Sequence, residues 1–176
     1  MNALVNPTLQ VAQLLRVLRQ VEGRKKLHKV VHILQELGWP FPERFDYSYY
    51  GMYSRELRAE VDSLVQDKLI KEKANPNMAG ERTYTFESTP ELEEFLDSLR
   101  VEKQPPWVAL ARQLNGLHTQ VLEGISTVLF LRSRGLHGED LQRRFGALKP
   151  HLKGNFIRCE TEARTLLARR PGAVPA

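Results

Sequence analysis

His28 and His32 stand four residues apart in the run Lys26-Leu27-His28-Lys29-Val30-Val31-His32, a spacing that sets both imidazoles on one side of a helix. Such a pair can share a metal ion. Two ligands are too few to hold one, and the glutamate that follows the first histidine of an HExxH zinc site is absent. Cys159 is the sole cysteine, so no thiolate cage and no intrachain disulfide can form. His118, His137 and His151 are scattered, with no Ser, Cys or Asp at a nucleophile–base spacing, and no Gly-rich loop could cradle a phosphate. The expectation is a protein that is not an enzyme, with no metal site and no cofactor. His28 and His32 then read as surface or boundary residues.

Two other groups of residues suit binding. Phe45, Tyr47, Tyr49, Tyr50 and Tyr53 could stack on bases, or pack on the core and support a turn; alternation with one inward side favours the core. Basic residues are the second group. Arg55 and Arg58 fall on a predicted third helix, Lys71, Lys73 and Arg82 on the strands after it, and Lys25, Lys26 and Lys29 on the second helix. A helix that enters the major groove reads bases with such arginines, while flanking lysines neutralise phosphates. Arg55, Arg58, Lys73, Arg82 and Lys26 are the candidate DNA contacts. Against this, the segment from Ser54 to Asp67 holds two arginines and four acids. That helix would repel phosphate, and this favours a protein partner as the alternative.

The elements that must position these residues follow from hydrophobic spacing. Val11, Leu14, Leu15, Leu18 and Val21 predict a first helix capped by Thr8. Leu27, Val30, Val31, Leu34 and Leu37 predict a second, from Arg24 to Leu37, with Lys25, Lys29, His32 and Glu36 on the opposite face. Gly38, Pro40 and Pro42 stop it. A short strand over Phe45–Tyr50 leads to Gly51, and Ser54 caps a third helix buried along Leu57, Val61 and Leu64. Strands over Leu69–Lys73 and Arg82–Phe86 flank the polar loop from Ala74 to Gly80, making a β-hairpin wing. Ser88 or Thr89 caps an acidic helix over Pro90–Arg100, and Gln104-Pro105-Pro106 is a hinge. One long helix is predicted from Trp107 to about Arg134, then helices over Glu139–Leu148 and beyond Pro150.

The segment from Lys26 to Gly38 (KLHKVVHILQELG) resembles the KLQKLVYLLQxLG helix of the YwgA-like family of uncharacterised bacterial and archaeal proteins. Tyr50-Gly51-Met52-Tyr53-Ser54-Arg55-Glu56-Leu57 is similar to that family's YGPYSxEL motif, with Met52 where the family prefers proline. The back half is similar chiefly around Leu148-Lys149-Pro150. A weaker similarity extends to Panacea-type antitoxin domains, which share a KLQK-type helix and a YGP-type turn. The resemblance implies a winged-helix fold and a regulator's role, and no known reaction or site residues.

Charge and composition frame these expectations. The 176 residues carry a net charge of +5, but residues 1–100 hold 14 Lys and Arg against 15 Asp and Glu, whereas residues 101–176 hold 12 against 6. The basic excess lies in the back half, where RNA binding is a further possibility. No apolar run approaches a membrane span and the N-terminus lacks a signal-peptide pattern, so a cytoplasmic protein without membrane partners is expected. The expected fold is mainly α with a small β-wing. A winged helix-turn-helix domain (1–87) precedes an acidic connecting helix and hinge (88–104), a C-terminal helical region (105–170) and a disordered tail (171–176). Leu110, Leu114, Leu117, Val121 and Val128 recur at helical spacing as a bundle core or as the seam of a homodimer. The expected activity is reversible binding to duplex DNA as a transcriptional regulator, or binding to a protein partner as an antitoxin-like or assembly subunit.

Overall fold

Helix α1 (Pro7–Leu18) opens with Asn6, not Thr8, as its cap: the Asn6 side chain accepts the Leu9 N–H at 3.3 Å, and Pro7 takes the first-turn place where no donor is needed. The helix ends three residues earlier than its apolar spacing predicts. Arg19 adopts φ +61°, which breaks the ladder, and Gln20–Val21 becomes a strand, β1. This is a computed structural model of the protein, and it describes residues 6–76 and 82–171. The last four residues of the predicted polar loop (77–80) and all but the first residue of the predicted disordered tail lie outside the described residues.

Helix α2 (Gly23–Glu36) follows β1, then the two short strands β2 (Asp46–Ser48) and β3 (Gly51–Tyr53), joined by Tyr49 and Tyr50. Ser54 caps α3 (Arg55–Gln66) by accepting the Leu57 N–H at 3.1 Å, as its position predicts. The antiparallel strands β4 (Ile70–Pro76) and β5 (Arg82–Ser88) pair from Ile70 opposite Ser88 out to Pro76 opposite Arg82. β1 adds to the free side of β5, so the sheet order is β1-β5-β4. Thr89 caps α4 (Pro90–Ser98).

The predicted long helix is two helices, α5 (Val108–Asn115) and α6 (Thr119–Ser133). Asn115 and Gly116 are poor helix formers, and extended His118 restarts the ladder by accepting the Gln120 N–H at 3.3 Å. Helix α7 (Gly138–Leu148), a 3₁₀ turn (Pro150–Asn155) and α8 (Phe156–Leu167) complete a mainly helical chain with a small antiparallel sheet. Among the described residues, no helix is long and apolar enough to cross a membrane.

One apolar core runs from Val11 to Leu166. α1 packs on α3, α4 and α5, α2 packs on α5 and α6, and α6 packs on α7 and α8. This placement selects the bundle-core alternative for one stripe and corrects one expectation for another. Leu110, Leu114 and Val128 are buried within the chain itself, and Leu117 and Val121 are half-buried against the same core, so these residues fill the intrachain helix packing. The middle of the supposed outer face of α2 is inside: Lys29 and His32 are each 1% exposed because α6 and β3 cover them, while Lys25 stays exposed and Glu36 half-buried at its ends.

Candidate functional site

The five basic residues singled out by sequence do not form one positive face. Arg55 begins α3 and is exposed. Arg58, one turn on, also points outward, with Nε 3.7 Å from Asp62. Asp62 is also taken by Arg24, whose Nη1 donates to it at 2.6 Å and whose Nε and Nη2 donate to Glu72 at 3.1 and 3.2 Å. Lys73 lies 2.6 Å from Glu87 across the hairpin, and Arg82 is exposed on β5. Lys26 is buried with its ammonium 3.6 Å from Glu22, which corrects its assignment as a phosphate contact: α2 lies inside the fold. The chain's own carboxylates thus engage most of the cations on this surface.

The three segments that carry the family resemblance meet at Gly51. Lys29 of α2 donates to the carbonyls of Tyr50 at 2.9 Å and Met52 at 2.7 Å. Lys149, just after α7, donates to Glu123 of α6 at 2.6 Å, and its ammonium lies 5.5 Å from the centre of the Tyr47 ring. A side chain at Gly51, where φ is +82°, would place its Cβ 3.2 Å from the Lys149 ammonium and 3.3 Å from that of Lys29. Glycine is therefore required twice, for backbone geometry and for room. Burial, opposed by Glu123 and reinforced by Lys149 and Lys25, brings the Lys29 ammonium down to about 8. Burial also pushes the Glu123 carboxyl up, but Lys149, Lys25 and His151 hold it below its ordinary value.

The two histidines are structural parts of the same joint. Ser54 N–H donates to His28 Nδ1 at 3.1 Å, and the His28 ring stacks on Tyr53 at 4.6 Å with 8° between planes. Burial first, then Lys29, Arg24 and Arg58, lower His28 to about 3, so the ring is neutral and Nδ1 is free to accept. His32 Nδ1 shares a 2.8 Å hydrogen bond with Ser126 of α6. These contacts correct the expectation of surface or boundary histidines. A polar residue at helical spacing looks solvated until a second layer of helices covers it.

The aromatic run divides in the structure. Phe45 packs on His28 and His32, and Tyr47 stacks on Phe130 at 5.3 Å. Tyr49 and Tyr50 instead project from the β2–β3 turn, 92% and 61% exposed, with their rings perpendicular at 5.1 Å. The Lys25 ammonium lies 5.8 Å from the centre of the Tyr50 ring. Beside them is a recess of about 260 Å³, walled by Tyr50, Met52, Tyr53 and His28 with Arg24 and Lys25 at its edge. Sequence spacing did not single out Glu123 or Arg24. Glu123 had a signal: it is the only charged residue between Thr119 and Leu131.

No family model matches the chain, and no solved structure matches it significantly. Among curated proteins, the uncharacterized protein YwgA of Bacillus subtilis (strain 168) is 28% identical over 134 residues, which cover 76% of this chain and 78% of that one. The chain is thus similar to YwgA over three quarters of its length, which bears out the YwgA-like resemblance carried by the α2 helix and the Gly51 turn.

Proposed function

We propose that residues 7–88 form a winged-helix domain, and that the chain is a non-catalytic module that binds a protein partner through the Tyr49–Tyr50 turn and the outer face of α3. The winged-helix reading is supported by the order helix, strand, helix, helix, strand, strand, in which the first strand pairs with the last. The short β2–β3 hairpin is an insertion between its second and third helices. The protein-partner reading is carried by one observation: Arg24, Arg58 and Lys73, which would face phosphate, already meet Asp62, Glu72 and Glu87. Phosphate neutralisation dominates affinity for duplex DNA, and a surface whose cations are compensated supplies little of it. Exposed tyrosines beside a recess with a cationic edge are instead the residue types that anchor protein interfaces.

A second reading, duplex DNA binding by a transcriptional regulator, rests on exposed Arg55 at the start of α3 and exposed Arg82 on the hairpin. Two measurements separate the two. Titration with random duplex DNA at ~50 and ~200 mM salt tests for the steep salt dependence of a phosphate-binding surface. A photo-crosslinking amino acid at position 49, expressed in the native cell, tests for a protein neighbour, with exposed position 157 on α8 as the control. The protein reading expects a discrete protein adduct from position 49 only, and no duplex binding at the lower salt. Duplex binding that is lost with Arg55→Ala and Arg58→Ala, without an adduct at 49, would replace it with the DNA reading.

A further inference from the structure

A second concavity, of about 450 Å³, opens where the last turn of α1 meets α4, the segment 99–107 and α5. Its charged walls are Arg16, Arg19, Lys103 and Arg112 against Glu93 and Asp97. Four cations thus face two carboxylates.

The carboxylates do not neutralise the walls evenly. Asp97 is shared between Arg16, at 3.3 Å, and Lys103, at 2.7 Å. Among the described residues, neither Arg19 nor Arg112 lies within ion-pair distance of any carboxylate; Arg112 uses its Nε on the Val17 carbonyl at 3.4 Å, which leaves the outer edge of its guanidinium available. Arg16 is the fixed point. It is 4% exposed and anchored by Nη2 to the carbonyls of Val101 at 3.0 Å and Glu102 at 2.6 Å, while its Nε has no hydrogen-bond partner. Arg19 sits at the lip with φ +61°, a backbone geometry that a non-glycine residue adopts at a cost and that cluster at functional sites.

Guanidinium groups present planar forks that match the paired oxygens of phosphoryl and carboxylate groups. A concavity of this size suits a small molecule rather than a single ion. We propose that this cleft binds a compact polyanion, a small molecule bearing two or more phosphoryl or carboxylate groups, held by Arg19 and Arg112 over the buried Arg16. The ligand would bridge α1 to the 99–107 segment and α5, and so tie the front helices to the back half. The proposal is independent of which macromolecule the Tyr49–Tyr50 surface takes.

The test is calorimetric titration and thermal melting of the full chain with sodium pyrophosphate and, separately, citrate, at constant ionic strength set with sodium chloride. Saturable one-to-one binding of at least one of them is expected, with a rise in melting temperature. The Arg19→Ala, Arg112→Ala double variant removes two exposed side chains and should weaken that binding about tenfold or more. Glu93→Gln removes a carboxylate from the wall and should tighten it, so the proposal stays testable even if the double variant folds poorly. Arg143→Ala with Arg144→Ala, on α7, should leave affinity unchanged. Which probe binds distinguishes a phosphorylated ligand from a polycarboxylate. Binding of neither, equal weakening by the α7 pair, or no tightening with Glu93→Gln would overturn the proposal.

Discussion

Gly51 shows how much one residue carries at the meeting of two buried ammoniums. Alanine there would have to hold φ near +82° and push both Lys29 and Lys149 aside. Gly51→Ala should therefore lower stability by about 1–3 kcal/mol, read as a fall in denaturation midpoint with unchanged slope. A second residue-scale prediction concerns Glu43 and Glu60. Glu43 is buried with no donor on either oxygen, and it faces Glu60 of α3. Burial, then Glu43, then Glu56 raise Glu60 to about 7, although Arg44 pairs with Glu56 nearby at 3.0 Å. A carboxyl raised in the fold contributes stability below its unfolded value and loses it as pH rises through the folded one. Glu60's own contribution should thus fall between about pH 4.5 and 7, while the depressed His28 contributes in the opposite sense up to its unfolded value, so the readout is the difference between the two proteins. Relative to the unaltered chain, the melting temperature of Glu60→Gln should rise with pH across this window, and an identical pH profile would refute the raised Glu60 carboxyl. At this scale, sequence pattern identified the cap Ser54 and narrowed that of α4 to Ser88 or Thr89, because capping is local chemistry, though it named Thr8 where Asn6 caps α1. It misplaced Lys26, Lys29, His28 and His32, because their burial depends on partners in α6 and β3 that no local pattern encodes.

Elements were legible where local signals are strong, and less so where helices meet. The β4–β5 hairpin, α3 and α4 follow from alternation, caps and proline. β1 did not, because two residues carry no periodicity and exist as a strand only by pairing with β5. The α5–α6 stripe kept its three-four spacing across a break, so spacing alone could not show that Gly116–His118 ends one helix and begins the next. Gly124, noted in that stripe for close helix approach, does permit one. A Cβ there would collide with Cys159 Sγ of α8, so α6 and α8 are in contact through the glycine's missing side chain. Gly124→Ala should cost about 1–3 kcal/mol from overpacking. Adding Cys159→Ala should recover part of that loss, since the colliding sulfur is gone. A double variant no more stable than Gly124→Ala alone would show that the α6 backbone, not the sulfur, resists the methyl group.

The whole molecule determines how the front and back halves depend on each other. On the winged-helix reading proposed above, the front segment would be an autonomous domain and the back half an appendage. Here α1 and α2 each bury a face on α5 or α6: His32 bonds Ser126, Arg16 grips the carbonyls of residues 101 and 102, and Asn115 donates to the Gln20 carbonyl at 2.8 Å. Cutting the chain after residue 100 would expose the apolar rows of α1 and α2 together with His32 and Lys29, while removing Glu123 and the main-chain acceptors of Arg16. Each large apolar side chain returned to water forfeits about 1.5–3 kcal/mol, and several together match the whole stability of a small domain. A fragment of residues 1–100 should therefore lack a cooperative thermal transition by circular dichroism, whereas the full chain should melt in one step. If the fragment melted cooperatively near the temperature of the full chain, the two halves would be separable. In that case the packing of α2 against α6 would be a docking contact rather than part of one core.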